Sequence, residues 1–445
     1  MFTTCRHLTP LAVRRRAKPR SKRRTAMKKF LIAAAALSVF GFSAAQAETT
    51  VRVHYAHPNL WKNVQEKIAQ GFMAENPGIK IVLDAPAKTY AEGAQELLRG
   101  AVAKKLPDIA YVGLNRWRIL EARKLTVALD PLIGDPAKFE AMGYTPALRS
   151  LGQYKGKQYA VAASASTLVI YVNPDLVKKA GGSMENFPRD FDGLIALATK
   201  ISALGPNIDG VWVAAHDWRF QSMLGSYGGR PMNEDETAIT FDSPAGISAA
   251  TLYSRFSKEA GMKKYGGNEA RQAFAAGVLG IYIDSSSYLT RMVEGAGDRF
   301  KVTVEPFIVA AKDKSSVYFP TGGSAIVMFT KDKAKQEAAW KYMLYATGPE
   351  GAKLVVENSG YAPTNAIVLK DKKYLGDFYA KNENSRRAHA QVAAYSGPWY
   401  AYPGSEGVAV TDLIGAALVE IVEGADPAAK MKALADTVRG KLNMK

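Results

Sequence analysis

Apolar positions after residue 48 follow two different periods. In "TTVRVHYAH", Val51 and Val53 alternate with polar residues, which predicts a half-buried strand. In "NLWKNVQEKIAQGFMAENP", Val64, Ile68 and Phe72 recur every fourth residue and mark one face of a helix. Pro77-Gly78 ends it. "IKIVL" reads as a second strand, "YAEGAQELLRGAVAKK" as a second helix and "PDIAYVG" as a third strand. Strands alternating with helices of this length predict βαβ units and a mostly parallel sheet. "QYAVAASASTLVIYVN" is long and weakly polar, as strands passing between two lobes would be. From Asn186 to Pro306 helices dominate, and "GVLGIYIDSSSYL" supplies one strand ending in a serine run. "SAIVMFT" predicts another strand, followed by a helix through "KAKQEAAWKYMLYA". Two helices, at about residues 407–423 and 427–443, close the chain. No internal repeat or low-complexity stretch occurs after residue 47.

The start of the chain changes how its charge is read. The first 26 residues hold nine Lys or Arg and no acid, as a nucleic-acid arm would. Met27 then opens "MKKFLIAAAALSVFGFSAAQAETT": two lysines, an apolar run from Phe30 to Phe42, and Ala45-Gln46-Ala47 as a small-x-small cleavage site. That pattern is a secretory signal peptide with cleavage after Ala47, and the run is too short for a membrane span. It places the mature chain in the periplasm. Translation from Met27 would make residues 1–26 an over-extended start. Arg23-Arg24 is a poor twin-arginine signal, because Ala26 stands where a bulky apolar residue is expected. Residues 1–47 carry 11 of the 59 basic residues and none of the 41 acidic ones, so cleavage lowers the net charge from +18 to +7. A mildly basic surface gives no support for a nucleic-acid partner. The single cysteine, Cys5, is in the leader, so the mature chain has no disulfide. The remaining 398 residues are enough for two domains.

Few residues offer catalysis. "LGSYG" at Leu224 to Gly228 lacks the first glycine of a nucleophile elbow, and no phosphate-binding G-x-x-x-x-G-K-[ST] loop exists. His54 and His57 sit three apart on a strand and its exit, facing different ways, which suits a polar cluster better than a metal pair. No cofactor and no metal is expected. What recurs instead is polar and aromatic loops at element ends: Ser164, Ser166 and Thr167 at the crossing, "HDWRF" with Trp218 between Asp217 and Arg219, Ser285 to Ser287, Gly322-Gly323, and Tyr361 in "SGYAPTN". Each alone reads first as structural, a cap or a turn. Together they lie where α/β proteins place ligands, and Trp and Tyr faces suit the C–H faces of sugars. "YSGPWYAYPG", Tyr395 to Gly404, adds four rings between prolines and glycines. It is either a wall of the cleft or a plug at a core edge.

The order of "FMAENPGIKI", "LPDIAYV", "STLVIYVNPDLVKKAGG", "GSYGGRPMN", "GGSAIVMFTKDKAKQEAAWKYMLYATGPEGAKLV" and "SGYAPTN" resembles the extracellular (periplasmic) solute-binding proteins of ABC importers, in the group that handles sugars and glycerol-3-phosphate. The resemblance spans residues 48–445. It implies an α/β, two-lobed periplasmic-binding-protein fold of type II, with the ligand cleft between lobes joined by crossing strands. The lobes would be residues 48–165 with 322–347, and 166–321 with 348–445. It implies a monomeric, non-catalytic receptor that delivers a sugar, oligosaccharide or polyol to permease subunits in the inner membrane. Carried over one by one, the implied binding positions are Tyr90, Ser166, Trp218, Ser285, Gly323 and Tyr361. Trp399 and Tyr402 join them if the aromatic loop is cleft wall. Two positions depart. Leu114 and Asn115 stand where an acidic residue belongs, and Tyr402 stands nearest the position of a phosphate-holding arginine. Losing that guanidinium favours a neutral sugar over glycerol-3-phosphate, unless Arg219 or Arg116 replaces it. The rival of another class is a secreted glycan-acting enzyme, which needs two carboxylates facing each other, with Asp217, Asp284 and Glu357 as the candidates.

Overall fold

The computed structural model describes residues 48–404 and 406–444. The leader and the cleavage expected after Ala47 lie outside these residues. The strands in chain order are β1 (Thr49–His54), β2 (Ile79–Leu83), β3 (Ile109–Gly113), the small pair β4 (Gln153–Tyr154) and β5 (Lys157–Gln158), β6 (Ala160–Ala162), β7 (Leu168–Val172), β8 (Asp209–Val213), β9 (Leu279–Ser285), β10 (Thr303–Pro306), β11 (Phe319–Pro320), β12 (Ser324–Met328) and β13 (Ser396–Gly397).

One five-stranded sheet has the order β2-β1-β3-β12-β6, and one four-stranded sheet the order β10-β7-β9-β8. The sheets are mixed rather than mostly parallel. β1 runs parallel to β2 and β3 because helices Pro58–Glu75 and Tyr90–Val102 carry the chain back between them. β12 enters the first sheet from the second without such a crossover, and it pairs antiparallel with both β3 and β6. In the second sheet only β8–β9 is parallel. β8 and β10 escape the periodicity reading. β8, "DGVWV", begins on Asp-Gly, and β10, "TVEP", is four residues ending in proline.

The first sheet is covered on both faces, so all residues of β3 and β12 are buried. One face packs Val53, Ile109, Tyr111 and Ile326 against Trp61, Ile68 and Phe72 of helix Pro58–Glu75 and Tyr342 of helix Lys333–Thr347. The other packs Ala110, Val112, Ala325 and Val327 against Leu97 and Leu120. The second sheet has its own larger core, centred on Leu168 to Val172 and Ile281 to Ile283. The segment after Gly348, expected with the second lobe, first packs on the first. Helix Pro349–Asn358 lies against helices Pro58–Glu75 and Lys333–Thr347, and helix Glu383–Tyr395 packs on β10 of the second sheet. The C-terminal helices Gly407–Val422 and Pro427–Lys441 then pack on helix Pro244–Lys258.

Three segments meet between the two sheets. Residues 163–167 connect β6 to β7, residues 321–323 connect β11 to β12, and the turn at Tyr361-Ala362 runs beside them. They are zipped together. Ser166 and Gly322 exchange backbone hydrogen bonds at 2.9 and 2.8 Å, and Ala165 and Ala362 at 3.3 and 2.7 Å. Ser164 Oγ accepts from the Ser324 N–H at 2.9 Å. No helix of the described residues is long and apolar enough to cross a membrane.

Candidate ligand-binding site

The crossing gathers most of the residues expected to bind ligand. Ser166, Gly323 and Tyr361 are on the crossing segments themselves. Tyr90 opens helix Tyr90–Val102, whose first turn is fixed by Thr89 Oγ1 accepting from the Glu92 N–H at 3.1 Å. His57, at φ 56°, starts the preceding helix, and its Nε2 accepts from the Tyr90 N–H at 3.3 Å. The Tyr90 hydroxyl accepts from Trp61 Nε1 at 2.9 Å and meets the hydroxyls of Tyr361 and Ser324. Trp61 stacks on Tyr361 with ring centres 5.4 Å apart. His57 is therefore a positioning residue for Tyr90, a role its sequence neighbours do not advertise. His54, its supposed companion, is buried in β1 beside Glu96.

From the second sheet, Ser285 ends β9 and its Oγ accepts from the Ser287 N–H at 3.2 Å, capping the turn Ser286–Tyr288. Ser287 is the serine that reaches the Tyr361 hydroxyl. Trp218 lies in the first turn of helix Asp217–Ser226. His216 Nδ1 accepts from its N–H at 3.1 Å, and its own Nε1 donates to the Pro320 carbonyl at 2.9 Å. The indole thus sits against Gly322, where an added Cβ would come within 3.1 Å of the ring.

The aromatic loop packs between the crossing and the core of the second sheet. β13 pairs with β11, and Thr321 N–H donates to Gly397 O at 2.8 Å, which ties the loop to the crossing. Trp399 is half-buried, with its ring 6.1 Å from that of Trp218 and its Nε1 3.3 Å from Asp217 Oδ2. Gln221 holds the Tyr400 backbone at both ends, and the Tyr400 hydroxyl donates to Glu236 at 3.1 Å. Tyr402 is buried against Phe241 and Tyr400. Tyr395, at the end of a helix, packs on Phe319. Arg118 adds a clasp. It pairs with Glu236 at 2.9 Å, donates to Ala401 O at 3.3 Å and lies over the Tyr154 ring.

The three carboxylates of the enzyme reading belong to separate networks. Asp284 is fully buried, paired with Arg219 and held by the Tyr282 hydroxyl and the Ser285 N–H. Asp217 accepts from Gln221 and Trp399. Glu357 is on helix Pro349–Asn358 beside Lys353. Rings at the crossing, backed by hydroxyls and indole N–H groups, instead suit a solute with C–H faces and hydroxyls.

Burial pushes the Asp217 carboxyl up to about 6, against the N–H groups of Gln221 and Trp399 and the charge of Arg116, which hold it down. A folded-state value above the unfolded one favours folding most below pH ~4, and that contribution is lost as pH rises through about 6. The displacement corresponds to about 3 kcal/mol. Asp217→Asn should therefore flatten the loss of stability between pH 4 and 7.5 relative to the parent. Denaturant unfolding of both proteins across that range measures it, and identical pH slopes would contradict the assignment.

Residues 67–384 match the family of bacterial extracellular solute-binding proteins. The sn-glycerol-3-phosphate-binding periplasmic protein UgpB of Escherichia coli K12 is 25% identical over 381 residues, covering 82% of this chain and 85% of that protein. Among solved structures, UgpB of Mycobacterium tuberculosis in complex with glycerophosphocholine superposes with a TM-score of 0.78 at 21% identity, covering 88% of this chain and 98% of that one. The GacH receptor of Streptomyces glaucescens, solved unliganded and with acarbose, gives 0.74 at 21% identity, covering 89% and 100%. These likenesses show the two-lobed periplasmic-binding-protein fold of type II. With the family match spanning well over half of its length, the chain belongs to the bacterial extracellular solute-binding proteins.

Proposed function

We propose that this protein is the periplasmic receptor of an ABC importer. It captures a carbohydrate-type solute, a sugar, oligosaccharide or polyol, and delivers it to permease subunits in the inner membrane. The observation that carries this is the convergence of Tyr90, Tyr361, Trp218 and Trp399 with Ser166 and Ser287 around the segments that join the two sheets. Tyr90, Ser166, Trp218, Ser285, Gly323, Tyr361 and Trp399 are proposed to contact the solute or shape its floor. The lobes divide at residues 163–167 and 321–323, and the packing of residues 349–358 supports assigning them to the first lobe. The receptor acts as a monomer and does no chemistry on its solute. Export by a signal peptide cleaved after Ala47 completes the reading. A second reading, a glycerol-phosphate-type solute, is favoured by the E. coli relative and by the half-buried Arg116 beside the aromatic loop.

A thermal-shift screen of the mature protein against sugars, polyols and their phosphates tests the proposal. A true ligand at about 100-fold above its Kd should add about 2.7 kcal/mol to stability. No stabilisation by any member of such a panel would sink it.

A further inference from the structure

The turn after β9 carries a tyrosine outside the expected set of binding residues. Tyr288 closes the turn Ser286–Tyr288, just ahead of helix Leu289–Ala296, and is half-buried. This stretch of the second lobe faces first-lobe groups at three points. The Ser287 hydroxyl meets that of Tyr361. The Tyr288 phenol acts electrostatically on Tyr90 and Tyr361. Arg291, three residues further on and on the same side of the chain, acts on His57 through its charge. The same phenol also acts on Tyr171 of β7 and on Arg219, which places it between groups of both lobes. Its ring is held by a cation. The Arg271 guanidinium lies 4.8 Å from the ring centre, and it donates to Asn268 Oδ1 and, at 3.5 Å, to the Tyr282 hydroxyl. The Tyr288 hydroxyl, by contrast, makes no hydrogen bond among the described residues. The other rings at the crossing have committed their polar atoms: Tyr90 to Trp61, Tyr361 to Ser287, Trp218 to Pro320 and Trp399 to Asp217.

We propose that Tyr288 is a specificity-determining contact of the receptor: its hydroxyl reads one hydroxyl of the bound solute from the second-lobe side of the crossing, and Arg271 is the positioning residue that fixes its ring. A phenol can donate and accept, so it matches a solute hydroxyl in either direction. A site built to bond a hydroxyl rejects an analogue lacking it far more strongly than an apolar wall does. Tyr90 and Tyr361, bonded to one another, supply ring surface, which every sugar can use. Tyr288 supplies selection among sugars. A guanidinium over one face is attracted by the ring's negative quadrupole, so it holds the phenol in one orientation and lets the hydroxyl be read at a fixed point. The inference rests on the solute-receptor reading and adds to it the residue that discriminates among hydroxylated solutes.

Calorimetry on the mature protein with maltose, maltotetraose, sorbitol and glycerol-3-phosphate tests it. Tyr288→Phe, which removes only the hydroxyl, should weaken the tightest-binding of the four about tenfold and leave the melting temperature of the unliganded protein nearly unchanged. The same variant should narrow the affinity gap between that compound and its monodeoxy analogues, and one analogue should bind parent and variant alike. Tyr288→Ala should weaken binding about 30-fold or more. Arg271→Met should weaken it about 3- to 10-fold in the parent and add nothing in Tyr288→Ala, because it acts through the ring; a merely structural arginine would weaken both proteins equally. Should Tyr288→Ala fail to fold, Tyr288→Phe still decides. Unchanged affinity in Tyr288→Phe, with or without a lower melting temperature, overturns the assignment and leaves the receptor standing. A parent that binds none of the four compounds overturns both.

Discussion

Gly323→Ala should destabilise the protein by about 3 kcal/mol or more, and Gly404→Ala by only about 1 kcal/mol. Both glycines have positive φ, 118° and 78°. Only one is also crowded. A Cβ at Gly323 would stand 2.3 Å from Ser164 O, a backbone atom on the neighbouring crossing segment, whereas at Gly404 nothing lies within 4 Å. Ser164 cannot retreat cheaply. Its N–H donates to Ser324 O, and its Oγ is bonded to the N–H and hydroxyl of Ser324. Gly323 O in turn accepts from the Leu114 N–H. The added methyl would therefore part the two strands that join the sheets, on top of the conformational cost both variants share. Urea unfolding of the two variants beside the parent measures the difference. Equal, small losses would mean that the crossing is looser than this packing requires. The expected sensitivity reflects the close approach that Gly323, with no side chain of its own, allows between the crossing segments.

The strands of the first sheet can be read from the sequence because each is a short apolar run bounded by Pro, Gly or an amphipathic helix. "PDIAYVG" and "SAIVMFT" are buried on both faces, and their sequences say so. Strand direction cannot be read the same way. β12 is antiparallel because of where the chain comes from, which no local period encodes. β8 and β10 are held in the second sheet by β9 and β7, partners well away in the chain, and their strand-forming runs, Val211-Trp212-Val213 and Thr303-Val304, are too short to show a period. The site divides similarly. Aromatic and hydroxyl residues at element ends are visible as loop chemistry. The residues that position them are not. His57 orients Tyr90 through a backbone turn at positive φ. Gln221 holds the aromatic loop across 179 residues, and Arg118 reaches Glu236 and Ala401 across 118 and 283. Such long-range polar contacts leave no periodic trace.

The aromatic loop gives the other large effect, and it separates two rings that look alike in sequence. Tyr402 packs on Phe241 within the second core, so Tyr402→Ala should cost about 3 kcal/mol of stability. Trp399 is half-buried and leans on Trp218 from the open side. Its truncation should cost much less stability but about 2 kcal/mol or more in affinity for the solute found by thermal shift, roughly 30-fold in Kd. The two losses are read independently, by denaturant unfolding and by calorimetry on the folded fraction. A third measurement ties Trp399 to its neighbour. Its indole N–H is one of the donors holding down the Asp217 carboxyl. Removing it should move the pH-dependent loss of stability to a higher pH, whereas Tyr402→Phe, which leaves that donor in place, should not. Unchanged affinity in Trp399→Ala would make this ring a packing element. The stacking platform would then reduce to Trp218, whose Nε1 is already committed to Pro320 and whose face would be the only indole surface left for a sugar on that side of the crossing.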